Sequence, residues 1–166
     1  MNKTAIVTGG SRGIGAAIVD ILVKEGYNVV INYNKSEEMA KKMKEEFTSK
    51  GYNVETFKAD VSKREEVKKL VEFTIEKFKN IDVLVNNSGI SQTKLFTDIT
   101  EEDWQNMIST NLNSAFYMCQ EVVPNMIHNK KGCIINISSI WGTTGASCEV
   151  HYSAPGWPAR RRGSGR

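Results

Sequence analysis

Residues 3–8, 29–31, 81–85 and 133–137 form four short runs rich in Val and Ile, a further strand reads near 53–58, and the first four of these five segments in chain order are each followed by a stretch of helical period. Strands that are apolar on both faces cannot lie on a protein surface. Both sheet faces must be covered, which selects a parallel sheet with crossover helices. The chain of 166 residues therefore reads as one α/β domain, a doubly wound parallel sheet of about five strands with helices on both faces.

The helical stretches carry their own start signals. The first spans about 13–25. The second begins near Ser36, spaces Met39, Met43 and Phe47 four apart, and offers Glu37/Lys41 and Glu38/Lys42 as ion pairs one turn apart. Ser62-Lys63-Arg64-Glu65 has capping-box spacing ahead of Val67, Leu70, Val71, Thr74 and Phe78. Thr100-Glu101-Glu102-Asp103 has it again ahead of Trp104, Met107 and Ile108, and Pro124 is expected to kink or end that last helical region. No internal repeat exists beyond the strand–helix alternation.

Between the first strand and first helix lies Thr8-Gly9-Gly10-Ser11-Arg12-Gly13-Ile14-Gly15. Glycines permit a tight turn and bring backbone N–H groups close to a pyrophosphate, while the helix N-terminus behind them adds a favourable dipole. Placement directly after strand one and before helix one points to a dinucleotide site. No Gly-Lys-Ser/Thr follows, which argues against the phosphate loop of nucleoside triphosphatases.

Charge and cysteine content narrow the partners. The formal net charge is +3, yet residues 1–154 hold 16 Lys, two Arg and 19 acids, a net of −1. Residues 155–166 hold four Arg and no acid, a net of +4, together with Pro155 and Pro158. The basicity belongs to this tail, so nucleic acid is not an expected partner. No apolar run approaches the ~20 residues of a membrane span, and the apolar N-terminal run breaks at Thr8 too early for a signal peptide. Cys119, Cys133 and Cys148 lack metal-ligand spacing and read as free thiols in a reducing compartment. A cytoplasmic protein with no membrane partner and no metal site is expected.

The Thr-Gly-x-x-x-Gly-x-Gly spacing at 8–15 resembles the short-chain dehydrogenase/reductase family, and more of that family's pattern follows in order. Asp60-Val61 ends the third strand, Asn86-Asn87-Ser88-Gly89 ends the fourth, and Asn111 lies in the helical region beyond. Ser139 follows the fifth strand, with Tyr152 thirteen positions later. Ser88 departs mildly from the usual Ala. The runs Asn86-Asn87-Ser88-Gly89-Ile90-Ser91 and Ile137-Ser138-Ser139-Ile140-Trp141-Gly142 are most similar to the 3-oxoacyl-acyl-carrier-protein reductases within it.

The resemblance implies a Rossmann-like domain that binds NADP(H) through Gly9, Ser11, Arg12, Gly13, Ile14, Gly15, Asn34, Lys35, Asp60, Val61, Asn87, Ser88 and Gly89. Tyr152 would donate a proton, Ser139 would hydrogen-bond the substrate oxygen, and Asn111 would support a water in the proton relay. His151 and Cys148 receive no role and read as loop residues. An NAD-selective site places a carboxylate about twenty residues beyond the glycines, whereas this chain reads Asn32-Tyr33-Asn34-Lys35-Ser36 there. Nothing in that stretch repels a 2′-phosphate, and Arg12 and Lys35 can pair with one. Glu37 and Glu38 are assigned instead to the first turn of the next helix.

One family residue is missing. The motif is Tyr-x-x-x-Lys, and here the run is Tyr152-Ser153-Ala154-Pro155-Gly156. An unassisted Tyr keeps a pKa of about 10, and Arg160 lies beyond two prolines and a glycine. The resemblance stops at Ala154. Residues 1–154 read as the N-terminal part of a single domain that is truncated, and 155–166 as a disordered or foreign tail. The family's strand order is 3-2-1-4-5-6, so the fifth strand is expected to form an exposed apolar edge prone to aggregation.

The implied function is NADPH-dependent reduction of a 3-oxoacyl thioester or similar ketone by the complete family member. Its substrate would be a small molecule or an acyl-carrier-protein-bound carbonyl, and the full-length form would be a homo-oligomer. Two alternatives stay open: a sugar, steroid or small-alcohol dehydrogenase of the same family, and a catalytically dead dinucleotide-binding module. His128, Lys130 and Lys131 read as a solvated helix end rather than a docking patch.

Overall fold

The computed structural model describes residues 2–155. Gly156 and the Arg-rich stretch after it, on which the missing-lysine and tail readings fall, lie outside the described residues.

The chain forms β1 (Thr4–Val7), α1 (Gly13–Lys24), β2 (Asn28–Tyr33), α2 (Glu37–Ser49), β3 (Val54–Lys58), α3 (Arg64–Phe78) and β4 (Val83–Asn86). A 3-10 turn (Phe96–Asp98) then leads to α4 (Glu101–Ile108), a π-helical segment (Ser109–Asn113) and α5 (Ser114–His128). Beyond them come β5 (Cys133–Asn136) and two single turns, α6 (Trp141–Thr144) and α7 (Val150–Ser153). All strand pairs are parallel and the sheet order is β3-β2-β1-β4-β5. The order reverses at β1, which opens a crevice outside the carboxyl ends of the strands.

Strand side chains alternate between faces, and two separate cores result. Ala5, Val7, Val29, Ile31, Val83 and Val85 pack with Val19 and Val23 of α1 and with Ala40 and Phe47 of α2. Ile6, Val30 and Leu84 pack on the opposite side with Leu70 and Val71 of α3 and with Met118, Val122 and Met126 of α5. Each fully buried Val, Leu or Ile contributes about 1.5–3 kcal/mol relative to exposure. The expected doubly wound architecture is present, with five strands and helices on both faces.

Local start signals fared unevenly. The Thr100 capping box forms: Thr100 Oγ1 accepts from the Asp103 N–H at 3.1 Å, and the Asp103 carboxylate accepts from the Thr100 N–H at 2.9 Å. The Ser62–Glu65 box does not. Asp60 Oδ1 takes both the Ser62 N–H at 3.1 Å and its hydroxyl at 2.6 Å, which turns the Ser62 side chain toward that carboxylate, and α3 begins one residue too late for Ser62 to be its N-cap. The N-cap is Lys63 with no side-chain cap, and Glu66, not Glu65, reaches back to the Asp60 N–H at 2.7 Å. Glu37–Lys41 pairs at 2.7 Å, whereas Glu38–Lys42 is not among the ion pairs of the described residues.

Pro124 does not end the helical region, since α5 runs through it to His128. A proline inside a helix costs about 3 kcal/mol, but Val122 and Met126 flank it one turn apart on the face buried against the sheet. Burial on that scale offsets the local cost.

Among the described residues β5 pairs with β4 alone and forms the sheet edge, with Ile135 44% exposed. At the amino ends of the strands, buried Asp82 accepts from the Thr4 N–H at 2.8 Å and Asn80 Nδ2 at 2.6 Å, and pairs with Lys131 Nζ at 2.8 Å. Burial pushes the Asp82 carboxyl up, but Lys131 and the Thr4 N–H outweigh it and hold it below the usual carboxylate range. Among the described residues no helix is long and apolar enough to cross a membrane.

Candidate active site

The turn after β1 is stitched to the end of β4, with the Thr8 hydroxyl at the centre of the bonds. Thr8 Oγ1 accepts from the Asn87 N–H at 2.9 Å and the Ser88 N–H at 3.0 Å, and donates to the Val85 carbonyl at 3.3 Å. Asn87 Nδ2 returns to the carbonyls of Thr8 at 3.0 Å and Gly9 at 3.2 Å. From the other side, Asn32 Oδ1 accepts from the Gly9 N–H at 3.3 Å, while its Nδ2 donates to the Ala59 carbonyl at 3.0 Å. The ends of β1, β2, β3 and β4 are thereby locked around one loop.

Two glycines of the turn have distinct reasons. Gly9 has φ +60°, the left-handed region that favours glycine. Gly15 needs absence of a side chain: a Cβ there would overlap the Gly9 carbonyl oxygen and lie 2.6 Å from Asn87 Nδ2. That absence lets α1 approach the turn with its N-terminus forward. No side chain caps α1 and its first turn holds no acid, so the partial positive charge of the helix end faces the cleft uncompensated.

The resulting cleft has a volume of about 620 Å³. All thirteen residues expected to bind the dinucleotide line it, from Gly9, Ser11, Arg12, Gly13, Ile14 and Gly15 through Asn34, Lys35, Asp60 and Val61 to Asn87, Ser88 and Gly89. Sequence reasoning missed Asn32, Tyr33, Ile90, Asn106 and Thr110, which line it too. Asn32 had a signal, a polar residue at the end of an otherwise apolar run. Burial and the charge of Glu37 push the Tyr33 phenol up, keeping it neutral. Arg12 and Lys35 are exposed at the cleft, whereas Glu37 is turned to Lys41, whose ammonium holds its carboxyl below the usual range. Asp60 accepts from the Ser62 N–H and hydroxyl through one carboxylate oxygen.

The three residues expected to act on substrate lie beyond the cleft lining. Asn111 sits in the π-helical segment, a local widening of the helix found often at functional sites. Its amide is committed at both ends to Ile90, accepting from the N–H at 2.8 Å and donating to the carbonyl at 2.8 Å. Ser139 follows β5 and accepts from the Trp141 N–H at 3.3 Å. Tyr152 rides on α7, which packs against α4 and α6. Among the described residues no hydrogen bond joins these three side chains to one another.

Residues 3–156 match the family described as short chain dehydrogenase. The 3-oxoacyl-[acyl-carrier-protein] reductase FabG of Staphylococcus epidermidis is 42% identical over 154 residues, which are 93% of this chain and 63% of that protein. The protein of the same name from Staphylococcus aureus is 40% identical with the same coverage. An uncharacterized oxidoreductase of Bacillus subtilis, YmfI, is 40% identical over 92% of this chain and 62% of its own length. The crystal structure of gox2181 superposes with a TM-score of 0.90 at 32% identity, covering 95% of this chain and 62% of that one. The chain thus spans less than two thirds of the length of these relatives. With a glycine turn that brings α1 onto the switch point of a parallel sheet, and a match that runs almost end to end, the chain belongs to the short chain dehydrogenase family.

Proposed function

We propose that the chain is the cofactor-binding portion of an NADPH-dependent reductase that converts a carbonyl, in a 3-oxoacyl thioester or similar ketone, to an alcohol. The observation that carries this reading is the gathering of thirteen dinucleotide positions in one cleft. The fit is chemical as well as geometric: glycines leave room for a pyrophosphate, the uncapped α1 end favours its charge, and Arg12 and Lys35 suit a 2′-phosphate. When bound, the nicotinamide supplies the hydride. The chain's own residues would orient the carbonyl and deliver a proton to its oxygen. Tyr152 is the proton donor, Ser139 the hydrogen-bond partner of the substrate oxygen, and the π segment at Asn111 the support of a relay water. Because the Asn111 amide is committed to Ile90, that support runs through the segment's backbone. The relatives named 3-oxoacyl-[acyl-carrier-protein] reductase favour an acyl-carrier-protein-bound substrate.

Gly156 stands where the family pattern has Lys, so slow turnover is proposed for this chain, and a dinucleotide-binding module is the second reading. Paired titrations with NADPH and NADH, run beside ketone-dependent NADPH oxidation, test both. Tighter NADPH binding with slow oxidation is expected. Clearly tighter NADH binding overturns the cofactor assignment, and turnover at ordinary enzyme rates overturns the part given to the missing lysine.

A further inference from the structure

The residue beside Tyr152 is not a loop histidine on the surface. His151 is fully buried, and its Nε2 lies 2.8 Å from Gln92 Oε1. The other end of the Gln92 amide settles which ring nitrogen carries the proton. Gln92 Nε2 donates to Asp103 Oδ1 at 3.0 Å, and Asp103 also accepts from the Thr100 N–H and hydroxyl and from Lys94 Nζ. Those donors hold its carboxyl far below the usual range, so it is an acceptor only. The NH₂ of Gln92 must therefore face Asp103, leaving Oε1 toward the imidazole. An oxygen there requires a proton on Nε2. Among the described residues Nδ1 is buried with no partner, and a second proton on it would be a buried donor with no acceptor among them, which is costly.

This chain of bonds leads back to the site. The Lys94 N–H donates to the Cys148 carbonyl at 2.7 Å, so residues 92–94 grip the segment that leads into α7. Asp103 belongs to the helical stretch whose π segment holds Asn111, and Asn111 grips Ile90. Both the Tyr152 turn and Asn111 are thus fastened to the same short loop after β4.

We infer that His151, as the neutral Nε2–H tautomer fixed through Gln92 by Asp103, is a positioning residue that sets the placement of Tyr152 relative to Asn111. The inference rests on the reading of Tyr152 as proton donor for its functional meaning, but not for its geometry. The test uses the full chain with fluorotyrosine incorporated, the Tyr152 fluorine signal being assigned with Tyr152→Phe. His151→Phe removes the donor, His151→Gln keeps an N–H at the same reach, and Gln92→Leu removes the acceptor without touching the buried ring. His151→Phe and Gln92→Leu should displace the Tyr152 signal by more than its linewidth, leave those of Tyr27, Tyr33, Tyr52 and Tyr117 in place, and change the NADPH dissociation constant by less than twofold. His151→Gln should restore the signal. If His151→Phe fails to fold, Gln92→Leu decides. An unmoved Tyr152 signal in Gln92→Leu overturns the inference, as does a nitrogen NMR spectrum placing the His151 proton on Nδ1. Failure of ketone reduction with these signals as expected would count against the proposed function alone.

Discussion

Gly15→Ala tests the cleft at its tightest point. The added methyl would overlap the Gly9 carbonyl oxygen, lie 2.6 Å from Asn87 Nδ2 and 3.0 Å from Gly10 Cα. Two of these neighbours are backbone, and Asn87 is held by its bonds to the carbonyls of Thr8 and Gly9. None can turn aside as a flexible side chain would. Relief requires α1 to tip away from the turn or the β1–β4 stitch to open. Overpacking of this kind costs about 1–3 kcal/mol. Drawn from binding, at about 1.4 kcal/mol per tenfold, that weakens NADPH by roughly 5- to 150-fold. Drawn from folding, it lowers Tm by about 2–4 °C per kcal/mol in a chain of this size. Fluorescence titration with NADPH and a thermal melt read the two shares. Gly26→Ala is the control: Gly26 has φ +80° with nothing within 4 Å, so it should lower Tm and leave NADPH affinity alone. A Gly15→Ala protein with the parent's Tm and an NADPH dissociation constant within twofold of the parent's would refute the reasoning.

Asn32→Leu should destabilise by about 1–3 kcal/mol in urea unfolding, because the Gly9 N–H and Ala59 carbonyl lose a buried partner. Arg12→Ala combined with Lys35→Ala should weaken NADPH binding at least tenfold and NADH binding less than twofold, measured by parallel titrations. Asp82 has its carboxyl depressed in the folded chain, so its stabilising share is present above the unfolded Asp pKa and is lost as pH falls through the lower folded value. Asp82→Asn should therefore be less stable at neutral pH and show a shallower loss of Tm on acidification than the parent.

The sheet was legible because burial on both faces leaves an unbroken apolar run, and β1, β2 and β4 show it. The dinucleotide cleft was legible because it is made largely of backbone, and backbone close approach demands glycine whatever the surroundings. What escaped was decided by partners distant in the chain or by competition nearby. Asn32 reaches Gly9 across 23 positions, and no local pattern predicts that. Ser62 had the right spacing for a cap, but its side chain is turned to Asp60, two residues away, and the helix starts one residue later than the spacing implies. The π segment leaves no trace in hydrophobic period, since it inserts between two helices whose buried faces continue. His151 looked like a loop residue because its partner Gln92 stands 59 positions earlier.

The Thr8 hydroxyl has a consequence for when binding becomes possible. Its partners Asn87 and Ser88 stand 79 and 80 positions further on, so the walls of the cleft come from segments far apart in the chain. During synthesis, a chain that has not yet extended past Ser88 holds every glycine of the phosphate turn yet lacks the floor against which they set. Contacts of such separation form late because loop closure must precede them. Dinucleotide binding therefore reports completion of the β1–β4 pairing, and a nested series of chain lengths should gain affinity abruptly on crossing that point rather than by degrees.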